Sequence, residues 1–408
     1  MRVAVIGGGA AGFFSAIAVK DNYPDAKVFI FEKSKKLLAK VKISGGGRCN
    51  VTNALKSRKE FLDAYPRGKK LLKSAFKIFD NNDTMQWYES KGVPLIIQED
   101  NCVFPKSQDS AGITNTLINE AKKHRITIQT DHGVKQIIPE DDKLRLEFVN
   151  PEIESEYFDK VIVTTGGSPK KKGLEWLEKT GHTIIDPVPS LFTFNMPDED
   201  VRKLMGIVIE NALVSLPGTK LTANGPLLIT HWGMSGPAIL KLSSLGAVIL
   251  HEKNYHFQVK VNWINKVNNE AISRDLNQII IEHPQKLLSN IRPYSLPERL
   301  WLFLLDKTGL PHNKKWNELG KKGMNKIINI LTNDLYQARG KTTFKEEFVT
   351  CGGISLDNID ISTMQSKVVD NLYFAGEVLD IDGITGGFNL QAAWTTGYIA
   401  GKLGKTRK

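Results

Sequence analysis

The spacing of apolar residues changes repeatedly along the chain, and each change predicts an element. Val3, Ala4, Val5 and Ile6 form a short unbroken apolar run, the pattern of a strand buried on both faces. Glycines interrupt it at Gly7–Gly12. Alanines and large apolar residues from Phe13 to Lys20 then predict a helix. "KVFIF" at Lys27–Phe31 predicts a second strand, ending at Glu32. His132-Gly133-Val134 opens a further strand. Lys160–Gly167, "KVIVTTGG", reads as a buried one, and Asn371–Phe374 as a short one, with a helix over Ala392–Leu403. Between Ser190 and Trp263 the pattern shortens to "NALVSL", "AVIL" and "FQVKVNW", set apart by Pro and Gly, which predicts a β-rich segment. From Lys266 to Gln337 the apolar spacing turns helical, in "NQIIIEH", "PERLWLFLLDKTG" and "MNKIINILTNDL", and Pro297 suits a first helical turn. The expected fold is α/β. A Rossmann-like domain over 1–189 and 345–408 is interrupted by a β-rich domain at 190–264 and a helical one at 265–344.

The order strand, glycine turn, helix, strand, acid is that of a dinucleotide-binding unit. Gly7, Gly9 and Gly12 satisfy GxGxxG, with Ala10 and Ala11 inside the motif. Gly7 permits the tight turn, Gly9 the approach of a pyrophosphate, and Gly12 close helix–strand packing. The helix start supplies free amides and the positive end of its dipole. Glu32, with Lys33 beside it, is placed to accept hydrogen bonds from an adenosine ribose and to repel a 2′-phosphate, which disfavours NADP.

Two later stretches argue for a larger cofactor. Ser44–Asn53, "SGGGRCNVTN", exposes backbone at Gly45, Gly46 and Gly47 in a run able to form an anion nest. Arg48 adds a fixed cation, and Asn50 and Asn53 add donors and acceptors. Cys49 has no second cysteine or histidine nearby in sequence, so it reads as a small packed residue rather than a redox thiol. Near the C-terminus, Ala375-Gly376-Glu377 ends a strand, Asp380 and Asp382 follow, and Gly383–Gln391 leads into a helix. These carboxylates suit polyol hydroxyls. The helix start at Gly386, Gly387, Phe388, Asn389 and Leu390 suits negative charge on a reduced ring. A nicotinamide dinucleotide needs no such second site, whereas FAD does. Thr164-Thr165-Gly166-Gly167 passes close to the same cofactor, and Val134 offers its backbone to an adenine edge.

Composition narrows the class further. The chain has 408 residues, 41% apolar and 24% charged, values of a soluble globular protein of more than one domain. Cys49, Cys102 and Cys351 form no CxxC pair, so neither a disulfide framework nor a zinc site is expected, and a reducing, cytoplasmic setting fits. No metal is expected. No run of about 18 apolar residues predicts a membrane span, and the start is not a signal peptide. Lys and Arg (55) exceed Asp and Glu (44), an excess that reads as a solvated basic surface or, alternatively, as a surface for nucleic acid or an anionic ligand.

Taken together, the motifs resemble the BaiN-type, or aminoacetone-oxidase-like, bacterial FAD-binding oxidoreductases of the glutathione-reductase-like flavoprotein group. They are GGGAAG (Gly7–Gly12), SGGGRCNVTN (Ser44–Asn53), VFP (Val103–Pro105), VTTGGSP (Val163–Pro169), THWGMSGPAILKLS (Thr230–Ser243), TCGGI (Thr350–Ile354), TMQSK (Thr363–Lys367) and LYFAGEVLDIDGITGGFNLQ (Leu372–Gln391). They run nearly end to end. The resemblance implies FAD, with Glu32, Arg48, Cys49, Asn50, Val134, Gly166, Gly167, Glu377, Gly387, Asn389 and Leu390 near it. It also implies reduction of conjugated double bonds in 3-oxo bile-acid derivatives, or oxidation of aminoacetone.

The expected activity is hydride transfer at flavin N5 to or from a small organic substrate. NADH or NADPH is expected at most as a transient donor, since a second full Rossmann fingerprint is missing. His231 reads as a turn-buttressing histidine or, alternatively, a proton donor. The competing readings are a tRNA- or RNA-modifying flavoprotein and a flavin-binding sensor without turnover.

Overall fold

The computed structural model describes residues 1–342 and 349–405, which fall into two units, Met1–Ser190 with Phe344–Lys408, and Leu191–Thr343. The expected boundary at 344/345 lies outside the described residues.

The first unit is built on a five-stranded parallel sheet. Its order is Leu372–Phe374, Lys160–Val163, Arg2–Ile6, Lys27–Phe31, Thr127–Gln129. The unbroken apolar runs are explained by burial: Val3, Ala4, Val5, Val161, Ile162 and Val163 are fully enclosed. An antiparallel meander of Val134–Glu140, Lys143–Phe148 and Glu156–Phe158 adds a second layer. Ile184–Pro189 pairs antiparallel with Thr350–Ile354, joining the chain as it leaves the unit to the chain as it returns.

The first helix, Ala10–Asn22, and the last, Phe388–Gly401, are apolar nearly all round and pack on each other. A Cβ at Gly397 would stand 2.8 Å from the Ala11 carbonyl oxygen, and one at Gly401 2.5 Å from that of Ser15, so glycine lets the axes approach. The first helix begins at Ala10 rather than Phe13, inside its glycine turn, because a first turn of Ala10, Ala11 and Gly12 contributes little to an apolar stripe. The last begins at Phe388, within the Gly386–Leu390 stretch expected to hold its start.

The second unit has its own core. Seven strands form an antiparallel sheet in the order Asp334–Arg339, His256–Asn262, Val208–Ser215, Thr222–Ile229, Gly233–Ser235, Thr193–Asn195, Lys341–Thr342. The helices Asn269–Glu282, Glu298–Thr308 and Gly320–Thr332 share that core, with Trp263, Trp301 and Trp316 wholly buried. Strand Asp334–Arg339, from the stretch of helical spacing, pairs along its length with His256–Asn262, from the β-rich stretch. "AVIL" lies in a helix, Ala247–Glu252, where Ala247 and Leu250 are buried and Val248 is exposed. A run of four apolar residues does not itself distinguish strand from buried helix.

Candidate functional site

At the first glycine turn each glycine has a different constraint. Gly7 lies at φ 118°, and a Cβ there would be 2.5 Å from the Thr164 carbonyl oxygen. A Cβ at Gly12 would overlap the Gly7 carbonyl oxygen, while one at Gly9 would meet nothing within 4 Å. The turn is closed on its inner side and open at Gly9. No side chain caps the helix that starts at Ala10, so its first N–H groups are available to an anion. Thr164 Oγ1 donates to the Ile6 and Gly7 carbonyls at 3.0 Å, fixing the end of strand Lys160–Val163 against this turn. The carboxylate of Glu32 accepts from Gly8 N–H, Ser34 N–H and Ser34 Oγ, each at 2.9 Å, and is thereby held at the strand end. Lys33 is exposed and lies against Gly133. Val134 pairs with Phe148 in the meander.

The second glycine loop is held from several sides. Arg48 lies 4.2 Å over the Phe104 ring, donates from Nε to the Gly45 carbonyl at 3.1 Å and from Nη1 to Gln108 at 3.2 Å. Added Cβ atoms at Gly46 and Gly47 would enter open space. Asn50, with its amide turned to satisfy both ends, donates to the Thr52 carbonyl at 2.9 Å and accepts from Gly387 N–H at 3.2 Å. Thr52 Oγ1 donates to Gln391 at 2.6 Å, Asn53 to the Gly386 carbonyl at 3.1 Å, and Trp394 Nε1 to the Val51 carbonyl at 2.9 Å. Loop Ser44–Asn53 is therefore bonded directly to the C-terminal glycine turn. Cys49 is buried, and burial pushes its thiol up to about 12, so it carries no thiolate near neutral pH.

The C-terminal turn completes the arrangement. Gly387, at φ 89°, precedes an uncapped helix N-terminus, and a Cβ there would stand 2.5 Å from the Thr52 carbonyl group. Asn389 exchanges two 2.8 Å bonds with the backbone of Gly383 and locks the turn. Phe388 points into the core between Phe61 and Tyr65, so only its backbone faces the turn; Leu390 is half-buried. Glu377 accepts from Lys40 Nζ at 2.7 Å and from Thr350 N–H at 3.0 Å. A Cβ at Gly167 would come within 2.5 Å of its Oε1, whereas one at Gly166 would meet open space. Gly376 is buried and bonded through its N–H to Thr396 Oγ1 at 2.8 Å, and Thr165 is exposed. Asp380 accepts from Gly352 N–H at 2.9 Å, and burial raises its carboxyl above the usual range. Asp382 is fully buried in a two-pronged pair with Arg67 and accepts from Ser190.

The residues singled out in sequence thus lie together in the first unit, with one exception. His231 belongs to the second unit, where it is exposed between two strands with its ring edge-on to Trp232 at 4.4 Å. Lys40, Arg67, Thr52 and Gln391 are additions from the structure. Their side chains matter through partners 123 to 339 residues away, which no local spacing reveals; Thr52 and Gln391 carried a signal only as members of SGGGRCNVTN and LYFAGEVLDIDGITGGFNLQ.

Open space at Gly9, Gly46, Gly47 and Gly166, two uncapped helix starts and oriented carboxylates fit a long dinucleotide with two anionic regions. Among the described residues no three His, Cys, Asp or Glu side chains group as a metal site, and no helix is long and apolar enough to cross a membrane.

These features define a Rossmann-type, FAD-dependent oxidoreductase. Residues 1–403 match the HI0933-like protein Rossmann domain, and the chain belongs to that family. It is 27% identical to a 3-dehydro-bile acid delta(4,6)-reductase of Clostridium scindens, over 100% of this chain and 99% of the relative. It is 29% identical to a ribosomal RNA dihydrouridine synthase of Haemophilus influenzae, over 97% and 96%. The crystal structure of a 3-ketosteroid delta1-dehydrogenase from Sterolibacterium denitrificans aligns with a TM-score of 0.50 at 11% identity over 98% of both chains, a likeness of fold.

Proposed function

We propose that this enzyme reduces a carbon–carbon double bond conjugated to a carbonyl. The observation that carries the reading is chain-long similarity to two enzymes whose names share this chemistry and little else. A delta-4,6 double-bond system beside a 3-oxo group, and the C5=C6 bond beside the C4 carbonyl of uridine, both accept hydride at the β carbon.

Bound FAD supplies that hydride through N5. Gly9 and the amides at Ala10 and Ala11 take the pyrophosphate, and Glu32 the adenosine ribose, exchanging one of its internal donors for a hydroxyl. Glu377 and Asp380 take ribityl hydroxyls. The helix start at Gly387–Leu390 and the Gly45–Gly47 nest stabilise negative charge on the ring, with Arg48 adding its cation. The α carbon takes a solvent-derived proton, read as a solvent isotope effect on turnover. Cys49 has no chemical role.

A second reading places the double bond in a uracil ring of RNA. The net charge of +11 favours it. The test is anaerobic: the purified flavoprotein is reduced with NADH or NADPH, then offered a 3-oxo-4-ene steroid or a ribosomal RNA transcript. Flavin reoxidation by either acceptor supports conjugate reduction and identifies its carrier. A reduced flavin that neither acceptor reoxidises, but that air admitted afterwards does, overturns it in favour of an oxidase.

A further inference from the structure

The excess of positive charge is not spread evenly. Residues 191–343 carry 19 Lys and Arg against 12 Asp and Glu, and within them 284–326 carry nine against three. In sequence this is a scatter of short lysine pairs. The fold gathers them. Leu287 bridges antiparallel to Lys315, Leu288 N–H donates to the Lys314 carbonyl at 2.8 Å, and Trp316 N–H donates to the Lys286 carbonyl at 3.0 Å. Lys286, Lys314 and Lys315 therefore sit on two adjoining segments, and the second of these runs through Trp316–Glu318 into helix Gly320–Thr332.

That helix begins with Lys321 and Lys322, both exposed. Its first turn holds no acidic residue and no side-chain cap, so two cations stand at the positive end of a helix dipole. Lys326 repeats the charge four residues after Lys322, on the same face, where like charges repel. Two neighbouring acids are committed elsewhere, Asp306 to His312 at 2.8 Å and Glu282 to Gln278 at 2.8 Å, while Glu318, which accepts the Lys315 N–H at 3.3 Å, is the single carboxylate within 314–322. Among the described residues no carboxylate forms an ion pair with Lys286, Lys314, Lys315, Lys321 or Lys322. A solvated basic face needs no such concentration, and helix design opposes it. Five cations held by backbone pairing and a helix start suit a ligand with several closely spaced anionic groups.

We infer that this corner of the inserted unit, Lys286 with Lys314, Lys315, Lys321 and Lys322, binds the phosphate backbone of the RNA substrate. The inference rests on the second reading above, in which the reduced ring is a uracil of RNA. It adds the place where the polyanion is gripped and the sequence-independent character of that grip.

The test is retention of a ribosomal RNA transcript on filters across a salt series, with the flavin-loaded full-length protein. The wild type is expected to bind with log K falling linearly in log salt. Lys314→Glu/Lys315→Glu and Lys321→Glu/Lys322→Glu are each expected to weaken binding about tenfold or more and to flatten the slope by ~1–2. Lys56→Glu/Lys59→Glu, the same charge change on exposed lysines of the other unit, is expected to leave it within about twofold. FAD content and reduction by NAD(P)H stay at wild-type values in all three. If a charge-reversal variant loses FAD or aggregates, the glutamine pair Lys321→Gln/Lys322→Gln takes its place with the same expectation at smaller size. Equal weakening by the control pair would show bulk charge rather than a site and would overturn the inference. So would variants that bind as the wild type does. A wild type that reduces the steroid enone but retains no RNA would overturn the RNA reading itself.

Discussion

Around the glycine turns of the first unit, the segments that form the site meet through their backbones; the helices of the inserted unit meet through large side chains. Gly12 abuts the Gly7 carbonyl, Gly387 the Thr52 carbonyl, and Gly397 the Ala11 carbonyl, distances that no side chain tolerates. In the inserted unit, by contrast, Trp301 and Trp316 lie parallel with ring centres 6.5 Å apart, and Trp263 donates to Asp334 at 3.0 Å. The lesson concerns what each unit is built to hold. Close backbone approach leaves free amides and open space, which suit an anionic cofactor. A core of indoles and leucines supports a surface whose side chains vary at will, and in this chain that surface is basic.

The difference can be broken or sharpened by substitution. The largest effect is expected from Gly12→Val, which forces the first helix off its strand. Overpacking of this kind costs ~3 kcal/mol or more. The protein should purify without FAD and with a lowered urea midpoint. Trp301→Ala removes a wholly buried indole that donates to the Leu288 carbonyl at 2.7 Å, at a cost of ~3–5 kcal/mol. That loss should be confined to the inserted unit: the urea transition shifts while FAD stays bound below it. FAD release in step with that transition would show that the two units do not divide the work.

Acidification should act on the first unit. His182 is enclosed, with Nδ1 2.7 Å from Thr180 Oγ1 and Nε2 2.8 Å from Ser366 Oγ, and burial pushes its pKa down to about 4. An unfolded imidazole titrates near 6.5, so below that pH the unfolded chain takes up the proton first. Stability present above pH 6.5 is therefore lost progressively toward pH 4, by ~3 kcal/mol at most. Urea midpoints measured from pH 7 to 4.5 should fall in the wild type and fall less steeply in His182→Asn. The smallest effect is expected from Asn389→Ala, which unlocks the C-terminal turn by removing two backbone bonds, at ~1–2 kcal/mol. It should weaken FAD binding severalfold and leave the inserted unit unchanged, as read by amide hydrogen exchange over residues 191–342.

The same contrast explains what could be read from the sequence. Glycine at Gly7, Gly9, Gly12, Gly45–Gly47 and Gly386–Gly387 is imposed by backbone geometry, so the turns, their flanking strands and the choice of a long cofactor were legible before any fold was known. The start of the first helix was misplaced by three residues, Phe13 for Ala10, since a first turn without an apolar stripe leaves no period to detect. "AVIL" was legible only as apolar. The pairings of Lys40 with Glu377, Arg67 with Asp382 and Thr52 with Gln391 were not legible at all, being products of tertiary approach between ordinary residues. The gathering of Lys286, Lys314, Lys315, Lys321 and Lys322 was hidden for the same reason. A reading residue by residue sees short charge pairs, and only the antiparallel pairing at Leu287 and Lys315 makes them one surface.

The central claim is that the glycine-bearing unit holds FAD through its two helix starts and its arginine-bearing loop. Fluorescence titration of the apoprotein with FAD, beside FMN and NAD as controls, tests it most directly. The account predicts one FAD per chain, bound far more tightly than FMN, which lacks the adenosine and one phosphate, and than NAD, which lacks the isoalloxazine ring proposed for the Gly387 helix start. Saturable binding of NAD in preference to FAD, or no binding of any of the three, would contradict it.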